Sequence, residues 1–288
     1  MMGVGRRSVA FVSGEMVGPT FAAMASGVEE VTTAGGHLLL LCTTHSSVQR
    51  ERETIYSLRE QRAAAVLLVG STPVGEEFEA RIAEYADALE MVGARLILCG
   101  RPPLASLPHV ASLDYDHVGG VRAAVAHLVE LGHRRIGYID LDEESSTPLQ
   151  RFRGYREGLA AAGLDVDERI VLRTANDIES AEATIAEFPL IDEGITALVC
   201  VTDLVAVGAR NGLRRRGLDV PGDVSVVGFD DMLLVADLTP PLTTVRAPFH
   251  ELGALAGRIA LGQTAFEGAI ELPTELVVRG STAQPASR

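Results

Sequence analysis

Short apolar runs rich in β-branched residues alternate with amphipathic stretches along most of this chain. The apolar runs predict strands at Ser8–Ser13, His37–Cys42, Ala65–Val69, Arg95–Cys99 and Val110–Asp114. Further strands are predicted at Arg135–Ile139, Arg169–Leu172, Ala197–Val201, Ser225–Phe229 and Glu271–Val278. Between them, helical periodicity covers Phe21–Ala34, Val48–Gln61, Glu76–Met91 and Val118–Leu131. It returns over Gln150–Ala162, Ile178–Phe188, Leu204–Arg216 and Glu251–Leu261. Strands that are apolar throughout, rather than at every second position, belong to sheets covered on both faces, and their alternation with helices makes those sheets parallel. That many strands exceed one tidy sheet in a chain of this length. The predicted fold class is therefore α/β: two doubly wound parallel sheets with a cleft between them.

Punctuation supports the same reading. Gly132, Gly163 and Gly217 each follow a helical stretch as left-handed caps. Arg214, Arg215 and Arg216 fall in the last turn of their helix, where exposed carbonyls favour positive charge. A nucleic-acid patch is the less economical reading of that triplet.

With 288 residues and 47 % hydrophobic side chains, the chain has material for a real core, which excludes a disordered class. Nowhere do about 18 apolar residues run unbroken, as a membrane-spanning helix requires. The opening MMGVGRRSVAFVSG has too short an apolar run for a secretory leader, so a cytoplasmic location is expected. The net charge is −14, and every basic side chain is arginine or histidine because the chain contains no lysine. Such an acidic chain repels phosphate backbones and is not expected to grip DNA by itself. Cys42, Cys99 and Cys200 each close a strand-like run, which predicts buried, reduced thiols.

Catalytic signatures are missing. The sequence contains no G-x-G-x-x-G, Walker-type loop, G-x-S-x-G elbow or H-E-x-x-H. Its seven histidines lack metal-ligand spacing and are expected on strand and helix surfaces. Asp140, Asp142, Glu143 and Glu144 read as a solvated loop after a strand. No cofactor, metal or catalytic residue is expected.

Several segments together resemble the effector-binding core of the LacI/GalR family of bacterial transcription regulators. They are HLVELGHRRIGYI (His127–Ile139), RFRGYREGL (Arg151–Leu159) and TALVCVTDLVAVGARNGLRRRGLDVPGDVSVVGFDD (Thr196–Asp231). PPLTTVRAP (Pro240–Pro248) and LPTELVVRGST (Leu272–Thr282) complete the set in the right order. The resemblance implies a periplasmic-binding-protein-like fold: two doubly wound, Rossmann-like α/β lobes holding a small ligand in the cleft at the hinge. The expected N-terminal lobe takes residues 7–140 plus 245–264, and the C-terminal lobe takes 141–244 plus 265–282. Family members carry an N-terminal helix-turn-helix ahead of this core. Here the first core strand starts within a few residues, which is read as a truncation that removed the DNA reader, with a natural protein lacking it as the alternative.

The resemblance also implies site residues. Asp230, at the end of a strand, matches the aspartate that accepts hydrogen bonds from neighbouring ligand hydroxyls; Asp231 beside it reads as a turn residue. Arg151 matches an arginine that points into the cleft, and Thr147, one helical turn earlier, a small hydroxyl. Thr202 stands where the family usually has asparagine, and Asp203 follows it as helix cap or ligand contact. Phe21 and Phe249 match cleft aromatics that stack on a ligand, with plain core packing as the alternative. Arg101 matches the arginine of a common Asp-Arg pair whose aspartate is replaced here by Gly100, and Ala175 replaces an aromatic platform.

The function implied is an effector sensor that binds a small polar molecule, a sugar or sugar derivative, and passes the bound state on to DNA binding. A homodimer is expected, with operator DNA contacted only through the missing N-terminal domain and no membrane contact. A solute-binding component of a sugar transporter shares the fold and is the alternative. An enzyme finds no supporting constellation.

Overall fold

The computed structural model of the chain describes residues 7–15, 18–141, 145–266 and 268–286. Asp142, Glu143 and Glu144 of the acidic loop lie outside the described residues. The chain opens with β1 (Val9–Ser13), α1 (Pro19–Ala34), β2 (Leu39–Thr43), α2 (Val48–Glu60) and β3 (Ala65–Val69). Then come α3 (Glu76–Glu90), β4 (Arg95–Cys99), β5 (Ala111–Tyr115), α4 (His117–Glu130), β6 (Ile136–Leu141) and α5 (Ser146–Ala161). It continues through β7 (Val171–Thr174), α6 (Ile178–Glu187), β8 (Ala197–Cys200), α7 (Asp203–Arg215) and β9 (Ser225–Asp230). The last elements are β10 (Thr243–Arg246), α8 (Phe249–Ala260), β11 (Ala269–Leu272) and β12 (Glu275–Val277).

Two compact units result. The first takes Met1–Tyr115 and Pro248–Leu272; the second takes Asp116–Ala247 and Pro273–Arg288. Each contains one six-stranded sheet, in the order β11-β5-β4-β3-β1-β2 in the first unit and β12-β10-β9-β8-β6-β7 in the second. The first sheet is parallel throughout, and in the second only β12 runs antiparallel, against β10. Burial at every position of β1, β3 and β8 explains why their sequences are apolar with almost no alternation.

The boundaries correct the expected division into 7–140 plus 245–264 and 141–244 plus 265–282. Residues 116–140 belong to the second unit because α4 packs directly on α5. A Cβ at Gly154 would sit 2.6 Å from the Val118 carbonyl, and one at Gly158 would sit 2.8 Å from Val125 Cβ. The same stretch supplies β6 to the second sheet. The expected strand Glu271–Val278 is two strands in two sheets: β11 pairs with β5, and β12 pairs with β10. Pro273, which cannot donate to a ladder, stands at the change of unit. The TTVR strand, β10, was not expected from the sequence; it is four residues long and lies close behind two prolines.

Gly132, Gly163 and Gly217 all take positive φ, as caps of this kind require. The three thiols are free, with Cys99 and Cys200 buried and Cys42 only partly so. Burial pushes the Cys99 thiol up to about 12. Two histidines correct the surface expectation: His117 and His133 are both buried. His133 ties the C-terminal segment into the second unit, with Nε2 2.9 Å from the Ala283 carbonyl and 3.1 Å from Ser225 Oγ.

In the first unit, α1 and α8 touch through glycine. A Cβ at Gly27 would lie 2.1 Å from the His250 carbonyl oxygen, and one at Gly253 would lie 2.0 Å from that of Met24. Backbone on both sides leaves nothing flexible to yield. Gly27→Ala should therefore cost about 1–3 kcal/mol in denaturant unfolding. Gly222→Ala, whose Cβ would meet only Asp219 Cβ at 3.5 Å, serves as the control and should stay within about 0.5 kcal/mol of the parent.

Candidate functional site

The polar side chains singled out from the sequence gather at the carboxyl ends of the parallel strands, each unit contributing its own cluster. Open α/β sheets bind ligands at that end, where helix N-termini and loop side chains converge.

In the second unit, β9 ends in a sharp turn whose φ values are 114° at Asp230 and 54° at Asp231. Left-handed backbone at two successive non-glycine residues is strained, and surrounding bonds must hold it. Arg151 supplies one of them. It projects from α5 and is almost fully buried, and its Nη2 donates to Asp230 Oδ1 at 2.9 Å. Its Nε donates to His117 Nδ1 at 3.2 Å, and Nη1 donates to the Val201 carbonyl at the end of β8. The guanidinium carbon lies 3.7 Å from the centre of the Phe229 ring. Burial pushes the Asp230 carboxyl above its ordinary range, although the Arg151 guanidinium pulls it back.

Asp231 holds the rest of the turn as a surface-side anchor. Its two oxygens meet Arg246 Nε at 2.8 Å and Arg279 Nη2 at 2.7 Å. This is the turn role expected for it.

Thr202, rather than Asp203, caps α7. Its hydroxyl accepts from Val205 N at 3.3 Å and donates to Asn176 Oδ1 at 2.8 Å. The capping role expected of Asp203 is corrected accordingly, because Asp203 is already the first helical residue. Its carboxylate points inward, accepting from Thr244 Oγ1 at 2.6 Å and from the Met232 amide at 2.7 Å. Gly228 makes room, since a Cβ there would fall 2.2 Å from Asp203 Oδ1. Both partners of Asp203 are neutral. Burial, then the negative Asp230, pushes its carboxyl up to about 8.

Thr147 lies half-buried on α5 one turn before Arg151 and shares its helix face. Ala175 is exposed, and the neighbouring Asn176 carries the contact to Thr202. Neither Asn176 nor His117 was expected at the site. A lone asparagine in a loop and a histidine at a helix start give no signal until the fold places them.

The first unit has its own cluster. Gly100, at φ +69°, turns the chain after β4, and the buried Arg101 follows. Arg101 Nε donates to the Gly70 carbonyl at 3.0 Å, and Nη2 lies 3.7 Å from Glu51 Oε2. Glu51 also takes Arg81 Nε at 3.1 Å, and both guanidinium groups lie over the Phe78 ring. The carboxylate missing at position 100 is thus supplied from α2, a partner that sequence separation concealed. Phe21 lies half-buried on α1 with its ring edge 3.3 Å from where a Gly70 Cβ would stand. Phe249, the first residue of α8, meets the Tyr115 ring edge-on at 5.3 Å.

Two doubly wound units, each with polar groups at its strand ends, define the class: a periplasmic-binding-protein-like core. The profile of the periplasmic binding protein-like domain matches residues 125–282. A transcriptional regulator of the helix-turn-helix type from Streptomyces limosus is 36 % identical over 96 % of this chain and 79 % of its own length. GalR of Escherichia coli K12, likewise a regulator of the helix-turn-helix type, is 32 % identical over 88 % of this chain and 71 % of its own. Among solved structures, the CelR–cellobiose complex superposes with a TM-score of 0.82 at 30 % identity, covering 96 % of this chain and 85 % of that one. The chain belongs to the LacI/GalR family of transcriptional regulators. These relatives favour the regulator over the transporter component that shares the fold. Among the described residues no helix is long and apolar enough to cross a membrane.

The Asp203 geometry makes a prediction with a definite sign. A carboxyl whose folded pKa lies above its unfolded value of about 3.9 stabilises the native state most at low pH. Stability then falls as pH rises from about 4 to about 8. Asp203→Asn should flatten that slope in denaturant titrations. Asp203→Ala should cost about 1–3 kcal/mol for each of the two donors left without an acceptor. An unchanged slope in the asparagine variant would show that another group titrates.

Proposed function

We propose that this core senses a small polar effector of the sugar class, and that Asp230 is its principal acceptor. The observation that carries the reading is the Arg151–Asp230 pair at the end of β9. Arg151 occupies Oδ1 and fixes the carboxylate plane, while Oδ2 has no bonded partner among the described residues. A carboxylate oxygen held in this way accepts from a ligand hydroxyl with little loss of side-chain freedom. Thr147, Thr202, Phe21, Phe249 and Arg101 are proposed as further ligand contacts, with Asp203 acting through the turn it braces. The relatives' role as regulators supports binding without turnover, and the cellobiose held by CelR supports a sugar.

Sensing then follows from differential affinity. A ligand shifts a conformational equilibrium only as far as it binds one state better, and a swing from 1:99 to 99:1 needs about 5.5 kcal/mol. Two or three charge-assisted hydrogen bonds at about 1.5–3 kcal/mol each are sufficient. The homodimer and the operator contact through an N-terminal reader, both implied by the family, complete the proposal.

Calorimetric titration with cellobiose, D-galactose and maltose tests it. At least one should bind the parent chain, and Asp230→Asn should weaken that sugar about 10- to 100-fold while circular dichroism stays unchanged. Equal affinity in the variant would remove Asp230 from the site. Light scattering should give about twice the chain mass of 30.5 kDa; a mass equal to one chain at micromolar concentration would refute the dimer.

A further inference from the structure

We propose that His117 is a positioning residue of this site: its unprotonated Nδ1 holds Arg151 against Asp230, so effector binding requires a neutral imidazole. The proposal rests on the effector reading above and adds to it a residue and a pH dependence.

The argument begins with hydrogen-bond polarity. An arginine Nε–H only donates, so the 3.2 Å contact to His117 requires Nδ1 to accept, and the ring proton sits on Nε2. The surroundings hold the ring in place. His117 is 1 % exposed and stacks on Phe229, with centroids 6.1 Å apart and planes at 24°. The same Phe229 ring lies against the Arg151 guanidinium. Gly120, one turn along α4, lets the helix lie close to Phe229 and Val245, where a Cβ would come within 3.0 Å of both.

Among the described residues, the charged groups facing the imidazole include Arg151 from α5 and Asp230 from the end of β9. Asp116 lies beside it on its own helix, with its carboxylate occupied by the Gly119 amide at 2.6 Å. As the first residue of α4, His117 also sits at the positive end of a helix, which opposes an imidazolium. Protonation turns the acceptor into a donor aimed at a donor and sets two cations side by side. The guanidinium must then leave its place, and Asp230 loses the contact that fixes its plane.

The test uses the full chain and whichever of cellobiose, D-galactose and maltose binds at neutral pH. Parent affinity should fall about tenfold per pH unit on the acid side of the imidazole titration. His117→Asn places a non-titrating acceptor near the Nδ1 position, so it should bind almost as well at neutral pH and lose that acid limb. His117→Ala should bind at least about tenfold more weakly at neutral pH. An acid limb unchanged in the asparagine variant, or parental affinity in the alanine variant, overturns the proposal. Nitrogen-15 spectra of the imidazole separate this proposal from the effector reading. An Nδ1–H tautomer sinks the His117 contact whether or not a sugar binds. An Nε2–H tautomer in a chain that binds none of the three sugars counts against the sugar reading instead.

Discussion

A guanidinium withdrawn from water must find its partners inside the protein, and the end of the second sheet is arranged around that demand. Arg151 bonds to a strand-end carbonyl, a histidine and a carboxylate while its face rests on Phe229. Removing one partner of such a buried pair leaves an uncompensated charge, which costs far more than the intact pair contributes. Each partner therefore constrains the others. Val201 fixes where β8 ends, His117 fixes the start of α4, and Asp230 is held in a backbone conformation it would otherwise avoid. The strain at Asp230 and Asp231 is sustained because Arg151, Arg246 and Arg279 all bind the same turn.

The carboxylates of that turn share the work unequally. Asp231 is neutralised by two arginines and serves as an anchor. Asp230 takes one, Arg151, on Oδ1. Asp203 pairs with no arginine among the described residues, and burial, then the nearby Asp230, pushes its carboxyl up against the pull of a hydroxyl and an amide. Three acidic residues close together in sequence or space thus have three chemistries, set by what each finds within hydrogen-bond reach.

Much of this was legible in the sequence, and the losses have physical causes. Long amphipathic helices declared themselves by their periodicity and buried strands by short, nearly unbroken apolar runs; Ala65–Val69 and Arg95–Cys99 match the observed strands residue for residue. β10 was missed because a four-residue strand near two prolines carries almost no periodic signal. The unit boundaries were misplaced because packing of α4 on α5 depends on two glycines, whose importance appears only when the helices meet. Asp230 and Arg151 were found through a family resemblance, and the structure puts them in contact. His117, Asn176 and Glu51 were not, because each reaches its partner across 25 or more positions of chain, or as a single residue type common in any protein.

The two units also solve one problem twice, and the difference bears on which of them is built to take a ligand. In each, a buried arginine bonds to a strand-end carbonyl, pairs with one carboxylate and lies over a phenylalanine ring: Arg101 with Gly70, Glu51 and Phe78; Arg151 with Val201, Asp230 and Phe229. Glu51 is on a helix and divides its two oxygens between Arg101 and Arg81, so its capacity is used within the protein. Asp230 is the last residue of a strand, at the ligand-binding end of its sheet, and Arg151 occupies only one of its oxygens. Two cations against one carboxylate leave the first cluster with positive charge and with Arg101 Nη1 lacking a bonded partner among the described residues. The second cluster pairs one cation with the Asp230 carboxylate, whose Oδ2 has no bonded partner among the described residues. Recognition of neutral hydroxyls needs an acceptor whose charge is already compensated, because an uncompensated one would not stay ionised in so buried a place. On that ground the acceptor role proposed above belongs to the second unit, and the contribution proposed for the first comes from donors and ring faces.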